Sequence, residues 1–161
     1  MEKAVKFIRF QQLKEQALAL CREEGRTLPD PDMMNPIVLA LIGDSVFTFY
    51  VRMRLLAVSS HVQVIHSIAA TMVSAVMQAK AMHVLEAGLS EEEAAIAHRG
   101  RNAKSMVPKS ASVSEYRAAT AFEALCGWLL LTDRESRLEE FVETAFQIIS
   151  GEISGGKKTF G

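Results

Sequence analysis

The sequence is poor in the features that mark a stapled or strand-built protein. Its 161 residues include two cysteines, Cys21 and Cys126, with no CxxC pair and no Cys/His ligand spacing. That argues against a disulfide framework or structural zinc site and for a reduced, cytoplasmic chain. There is no sustained apolar–polar alternation and no Asn-Gly turn, so strands and hairpins are not expected. Three of the four prolines fall in one stretch, GRTLPDPDMMNP at 25–36, which leaves the remainder open to helix. The net charge is −1, so any cationic surface must be local.

Charge is also missing over a long run. From Leu55 to Ala79 there is no Asp, Glu, Lys or Arg. The run nevertheless holds Ser59, Ser60, His61, Gln63, His66, Ser67, Thr71, Ser74 and Gln78, too polar for a lipid-facing span, so no membrane partner is expected. The start, MEKAVKFIRF, alternates charge and lacks the apolar core of a signal peptide.

What is present is helical periodicity and 49% hydrophobic residues. Helices are expected over about 2–24, 36–57, 60–87, 90–99, 113–131 and 134–150. Asn35 with Pro36 marks one start, and Ser90/Glu93 and Ser112/Glu115 read as capping boxes. The expectation is an all-α single domain of six or seven helices over 1–150, with a flexible tail at 151–161.

Two stretches break the pattern. LALIGDSVFTFYV (39–51) is apolar almost all round yet carries Asp44 beside Gly43. ATAFEALCGWLLL (119–131) repeats the oddity with Glu123 and, one turn on, Gly127. An interior helical glycine costs about 1 kcal/mol relative to alanine, so the pairing implies close approach of a backbone or a ligand. A carboxylate withdrawn from water needs a cation. Arg52 and Arg117 lie about two turns away along their helices. A divalent metal is one answer, since magnesium takes one or two carboxylates and keeps several waters. Acids at a solvent-facing helix edge, or paired to a distant arginine, are the other.

Two further features suit contact with a polyanion. The span HRGRNAKSMVPK carries Arg99, Arg101, Asn102, Lys104, Ser105 and Lys109 and no acid, either as a phosphate-binding loop or as a solvated one. Ser60, Gln63, Ser67, Thr71, Ser74 and Gln78 are spaced 3, 4, 4, 3 and 4, a polar, uncharged helix face opposite Val62, Ile65, Ala69, Met72 and Val76. Such a face fits RNA backbone, a second subunit or a polar-lined core.

The wording of these segments resembles a known family. IGDSVFTFYVR is similar to the first signature of the ribonuclease III catalytic domain, and TAFEALCGWLLL to its second. With IHSIAATMVSAVMQA and RGRNAKSMVPKSASVSEYRAATAFEAL between them, the order resembles the Mini-ribonuclease III branch, which lacks a double-stranded-RNA-binding domain. The resemblance spans about 35–131. It implies an all-α homodimeric endoribonuclease that cuts double-stranded RNA with magnesium, manganese being a possible substitute. It further implies precursor 23S ribosomal RNA as substrate, with a ribosomal protein on that RNA as a further candidate partner.

Residue by residue, Asp44 and Glu123 take the places of catalytic, metal-binding carboxylates. Longer family members carry further acids where this chain has Ile37, Ala40 and Thr120, a departure that the Mini branch shares. Thr48 and Val76 also depart, from a Glu and a Lys of many relatives. The competing expectations are a non-catalytic RNA-binding or ribosome-assembly factor and another all-α metal enzyme. The four histidines and the eight methionines read as structural.

Overall fold

The computed structural model describes residues 2–156, with side chains from 11 to 155. Among them are seven α-helices: α1 (Glu2–Glu23), α2 (Pro36–Leu55), α3 (Val62–Met72), α4 (Ala75–Leu85), α5 (Glu91–Asn102), α6 (Val113–Leu131) and α7 (Glu135–Gly156). Single 3-10 turns sit at Pro31–Met33 and Glu86–Gly88, and no strand occurs among the described residues.

The chain forms two units, Met1–Met33 and Met34–Gly161, where one domain over 1–150 was expected. In the first unit no described residue is buried as a whole, and Leu13 and Leu20 face water. Helix α1 stops where Gly25 turns left-handed at φ +76, the conformation in which glycine meets no Cβ penalty.

The second unit is built round α6. Every residue from Ala119 to Leu130 except Glu123 is buried, and α2, α4, α5 and α7 pack on it. Phe122 joins two of these contacts, edge-to-face with Phe47 of α2 at 4.9 Å and stacked on Phe141 of α7 at 5.2 Å. Helix α2 turns Leu39, Gly43, Phe47, Val51 and Leu55 inward, one every four residues. Its other side leaves Val38, Leu41, Phe49, Met53 and Leu56 exposed. The helix is long and apolar enough to cross a bilayer by length and composition alone.

The start signals act as the sequence implies at two helices. Asn35 Oδ1 accepts from the Ile37 N–H at 2.9 Å, with Pro36 in the first turn of α2. At α6 the Ser112 hydroxyl and the Glu115 carboxylate cap each other's backbone N–H groups, both at 3.1 Å. At α5 only half a box forms. Ser90 caps the Glu93 N–H, but the Glu93 carboxylate is buried and taken by Arg137 of α7 in a bidentate pair. The acidic triplet at 91–93 is therefore not wholly exposed.

Three expected boundaries shift. The single helix over 60–87 is two helices, bent by 51° at Val73–Ser74. There the Ser74 hydroxyl donates to the Thr71 carbonyl at 2.7 Å and accepts from the Met77 N–H, so it ends one helix and starts the next. Helix α5 continues past Arg99 to Asn102. Helix α7 continues through 151–156, which were expected to be tail; the remaining tail residues, 157–161, lie outside the described ones. Ile153 follows the buried Ile149 by one turn, and Lys80 of α4 reaches Glu152 at 3.2 Å, which holds the extension.

Candidate active site at the crossing of two glycine-bearing helices

The two glycines account for the closeness of α2 and α6. A Cβ at Gly43 would overlap the Glu123 carbonyl oxygen and lie 2.8 Å from the Gly127 nitrogen. A Cβ at Gly127 would overlap the Leu39 carbonyl oxygen and lie 3.2 Å from the Gly43 nitrogen. The helices thus touch backbone to backbone, and Asp44, next to Gly43, acts electrostatically on Glu123. Both carboxylates are half-buried.

Burial, and then the Asp44 charge, push the Glu123 carboxyl up to about 8. The opposing influence comes from the Gln78 amide, a hydrogen-bonding group that favours the ionised form. Neither neighbour is a cation. Gln78 itself is fully buried on α4; its Nε2 donates to the Val73 carbonyl at 3.2 Å, and its Oε1 has no partner.

This donor set fits a hard cation. It offers two carboxylates and a buried amide oxygen with unused acceptor capacity. No group of three or more His, Cys, Asp or Glu capable of holding a metal occurs among the described residues. Two carboxylates with water completing the shell is the arrangement magnesium accepts. Of the three positions where the resemblance places further acids, Ala40 and Thr120 are buried and Ile37 is half-buried, and the Thr120 hydroxyl donates to the Tyr116 carbonyl at 2.9 Å.

The remaining candidate residues separate. Arg99, Arg101 and Asn102 are side chains of α5, and the loop proper begins at Ala103. Arg99 ties back to the Met34 carbonyl at 2.6 Å. Arg101 pairs with Glu86, Asn102 meets His98 at 2.9 Å, and Ser105 meets the Tyr116 hydroxyl. Lys104 and Lys109 are exposed. Arg101 and Asn102 line a cleft of about 610 Å³ together with His83, Glu86 and Arg117. On the polar face of the expected long helix, Ser67 and Thr71 are exposed on α3, Ser74 is the cap of α4, and Gln78 points into the protein beside Glu123. That face is therefore not continuous. The proximity of Gln78 to Glu123 was missed by sequence reasoning; its one signal was an uncharged polar residue within VSAVMQA.

A family model for the ribonuclease III domain matches residues 37–134, which include α2, α6 and both carboxylates. The chain belongs to the ribonuclease III family. It is 44% identical over 125 residues to the Mini-ribonuclease 3 of Brevibacillus brevis, covering 76% of this chain and 93% of that one. It is 41% identical to the Mini-ribonuclease 3 of Symbiobacterium thermophilum, covering 76% and 95%. A crystal structure of a Fusobacterium nucleatum protein superposes with a TM-score of 0.67 at 27% identity, covering 74% of this chain and 95% of that one. The chain is accordingly an endoribonuclease of the ribonuclease III type, in the Mini-ribonuclease 3 branch. The buried Cys126 thiol, pushed well up by burial, is inert beside Glu123.

Proposed function

We propose that the chain hydrolyses double-stranded RNA with magnesium held at Asp44 and Glu123, and that it does so as a homodimer in the maturation of precursor 23S ribosomal RNA. The observation that carries this reading is the pair of half-buried carboxylates brought together at the Gly43–Gly127 crossing, with no cation among the described residues acting on Glu123. Bound magnesium would supply an acidified water, a sink for transition-state charge and a stabilised leaving oxygen, with 5′-phosphate and 3′-hydroxyl ends as products.

The protein's own contribution is charge and shape. Asp44 and Glu123 provide the negative charge that binds the cation, and manganese can take its place. Lys104, Lys109 and Arg101 would contact phosphates, with Asn102 and Ser105 as further donors. Ser67 and Thr71 offer exposed hydroxyls for RNA backbone and 2′-hydroxyl groups. Arg99, tied to Met34, anchors the end of α5 from which the loop leaves. The exposed apolar side of α2 supports a twofold partner, which gives one site per RNA strand. Two free cysteines suit action in the cytoplasm, with or without a ribosomal protein on the substrate.

The test is cleavage of a long RNA duplex beside a single strand, with magnesium or with chelator, by the wild type and by Asp44→Asn. Magnesium-dependent cutting of the duplex by the wild type alone is expected. Full activity in Asp44→Asn would overturn the assignment.

A further inference from the structure

Three polar side chains are buried among the described residues: Gln78, Glu93 and Thr120. Glu93 is satisfied by Arg137, and Thr120 by the Tyr116 carbonyl. Gln78 is different. One side of its amide is engaged, through Nε2 to the Val73 carbonyl and through the interaction with Glu123. The other side, Oε1, is buried without a partner. Buried polar groups in native proteins almost always find hydrogen bonds, so an orphaned acceptor next to a candidate metal ligand requires an explanation.

The fold supplies a reason for its position. The bend at Val73–Ser74 redirects the chain before Gln78, so that Gln78 leaves the exposed side of α3 and enters the core against α6. Residues that hydrogen-bond a metal ligand fix its orientation and tune its affinity. Magnesium dehydrates reluctantly and arrives with water that needs acceptors. We propose that Gln78 is a positioning residue for the divalent cation: its N–H orients the Glu123 carboxylate, and its Oε1 accepts a hydrogen from water in the cation's hydration shell. This rests on the assignment of Asp44 and Glu123 as the metal-binding pair. The rival account is purely architectural, with Gln78 present only to satisfy the Val73 carbonyl at the end of α3.

Manganese binding to the full chain, without RNA, separates the two. Free manganese is followed by electron paramagnetic resonance for wild type, Asp44→Asn and Gln78→Met, which keeps the side-chain length but lacks both amide functions. Thermal unfolding in chelator is recorded alongside. The expected result is manganese binding about 10- to 100-fold weaker in Gln78→Met than in wild type, the usual cost of losing a group that supports a metal ligand. Lowered melting temperature with unchanged manganese affinity would overturn the proposal and leave the architectural role. If Gln78→Met does not fold, Gln78→Asn makes the same measurement, since it keeps the amide but is one methylene too short to serve both Val73 and Glu123. Lost binding in Asp44→Asn with full binding in Gln78→Met sinks the Gln78 inference alone. Full binding in Asp44→Asn sinks the metal-site reading and this inference with it.

Discussion

Gly43 of α2 lies against the main chain of Glu123 of α6, so closely that any side chain at Gly43 would overlap the Glu123 carbonyl oxygen. Helix propensity alone favours alanine over glycine by about 1 kcal/mol. Here packing reverses the sign, because the clash is with backbone and cannot be relieved by a side-chain rotation. Gly43→Ala should destabilise the protein by about 3 kcal/mol or more, at the upper end for overpacking. Gly151 of α7 has nothing within 4 Å of its would-be Cβ. Gly151→Ala should therefore stabilise by about 0.5–1 kcal/mol. Denaturant unfolding of the three proteins checks both signs, and a Gly43→Ala protein as stable as wild type would contradict the close crossing.

The raised Glu123 carboxyl makes a pH prediction for the metal-free protein. The folded state holds this proton up to about 8, whereas an ordinary glutamate releases it near 4.5. Between those values the folded state binds more protons than the unfolded chain, so stability must fall as pH rises. The contribution is whole below about 4.5 and is lost progressively through about 8. Glu123→Gln removes the titration. In chelator its melting temperature should gain on that of the wild type as pH goes from 5 to 9, and magnesium should then raise the wild type but not the variant. A constant offset at every pH would show that Glu123 is not the group responsible.

How far the sequence disclosed this arrangement depended on whether the deciding interaction was local. The start of α2 at Asn35–Pro36 and the Ser112/Glu115 box of α6 were legible because each is settled within four residues. Asp44 and Glu123 were legible as charges out of place in apolar helices, and their glycines as a sign of close approach. The bend at Val73–Ser74 was not, because the apolar period runs straight through it and the Gln78–Val73 bond that accompanies it spans the break. Glu93 read as the capping-box partner of Ser90; the group its carboxylate meets, Arg137, comes from a helix 44 residues on. Gln78 could not be separated from the rest of its polar face, which fitted RNA, a second subunit or a polar-lined core alike, because an uncharged polar residue carries no marker of burial.

The outer side of α2 should be a subunit interface. Leu41 is 66% exposed, with Val38 and Met53 on the same side of the helix and Leu56, 62% exposed, at its C-cap. A contiguous apolar face of this kind is uncommon on a monomer, and a twofold axis would let it cover itself. The wild type should sediment as a dimer at micromolar concentration, and Leu41→Glu combined with Met53→Glu should sediment as a folded monomer. A monomeric wild type at that concentration would refute the interface.

RNA should be gripped where α5 ends. Lys104 and Lys109 stand exposed on the loop, while Arg101 is already paired with Glu86 at the protein surface. An exposed pair of that type is worth little, so a phosphate can displace Glu86 at small cost. Cations that neutralise phosphates act by releasing counterions, which weakens binding at every RNA sequence alike when they are removed and appears in the salt dependence. Arg101→Ala with Lys104→Ala should therefore raise the half-saturating duplex concentration and flatten the log–log salt slope, by roughly one unit for each phosphate left without its cation. Metal binding without RNA should change little, because Asp44 and Glu123 lie on α2 and α6. Affinity is measured for wild type and the double variant at several salt concentrations, with calcium replacing magnesium to prevent cutting. An unchanged slope with unchanged affinity would make this a solvated loop with no part in binding.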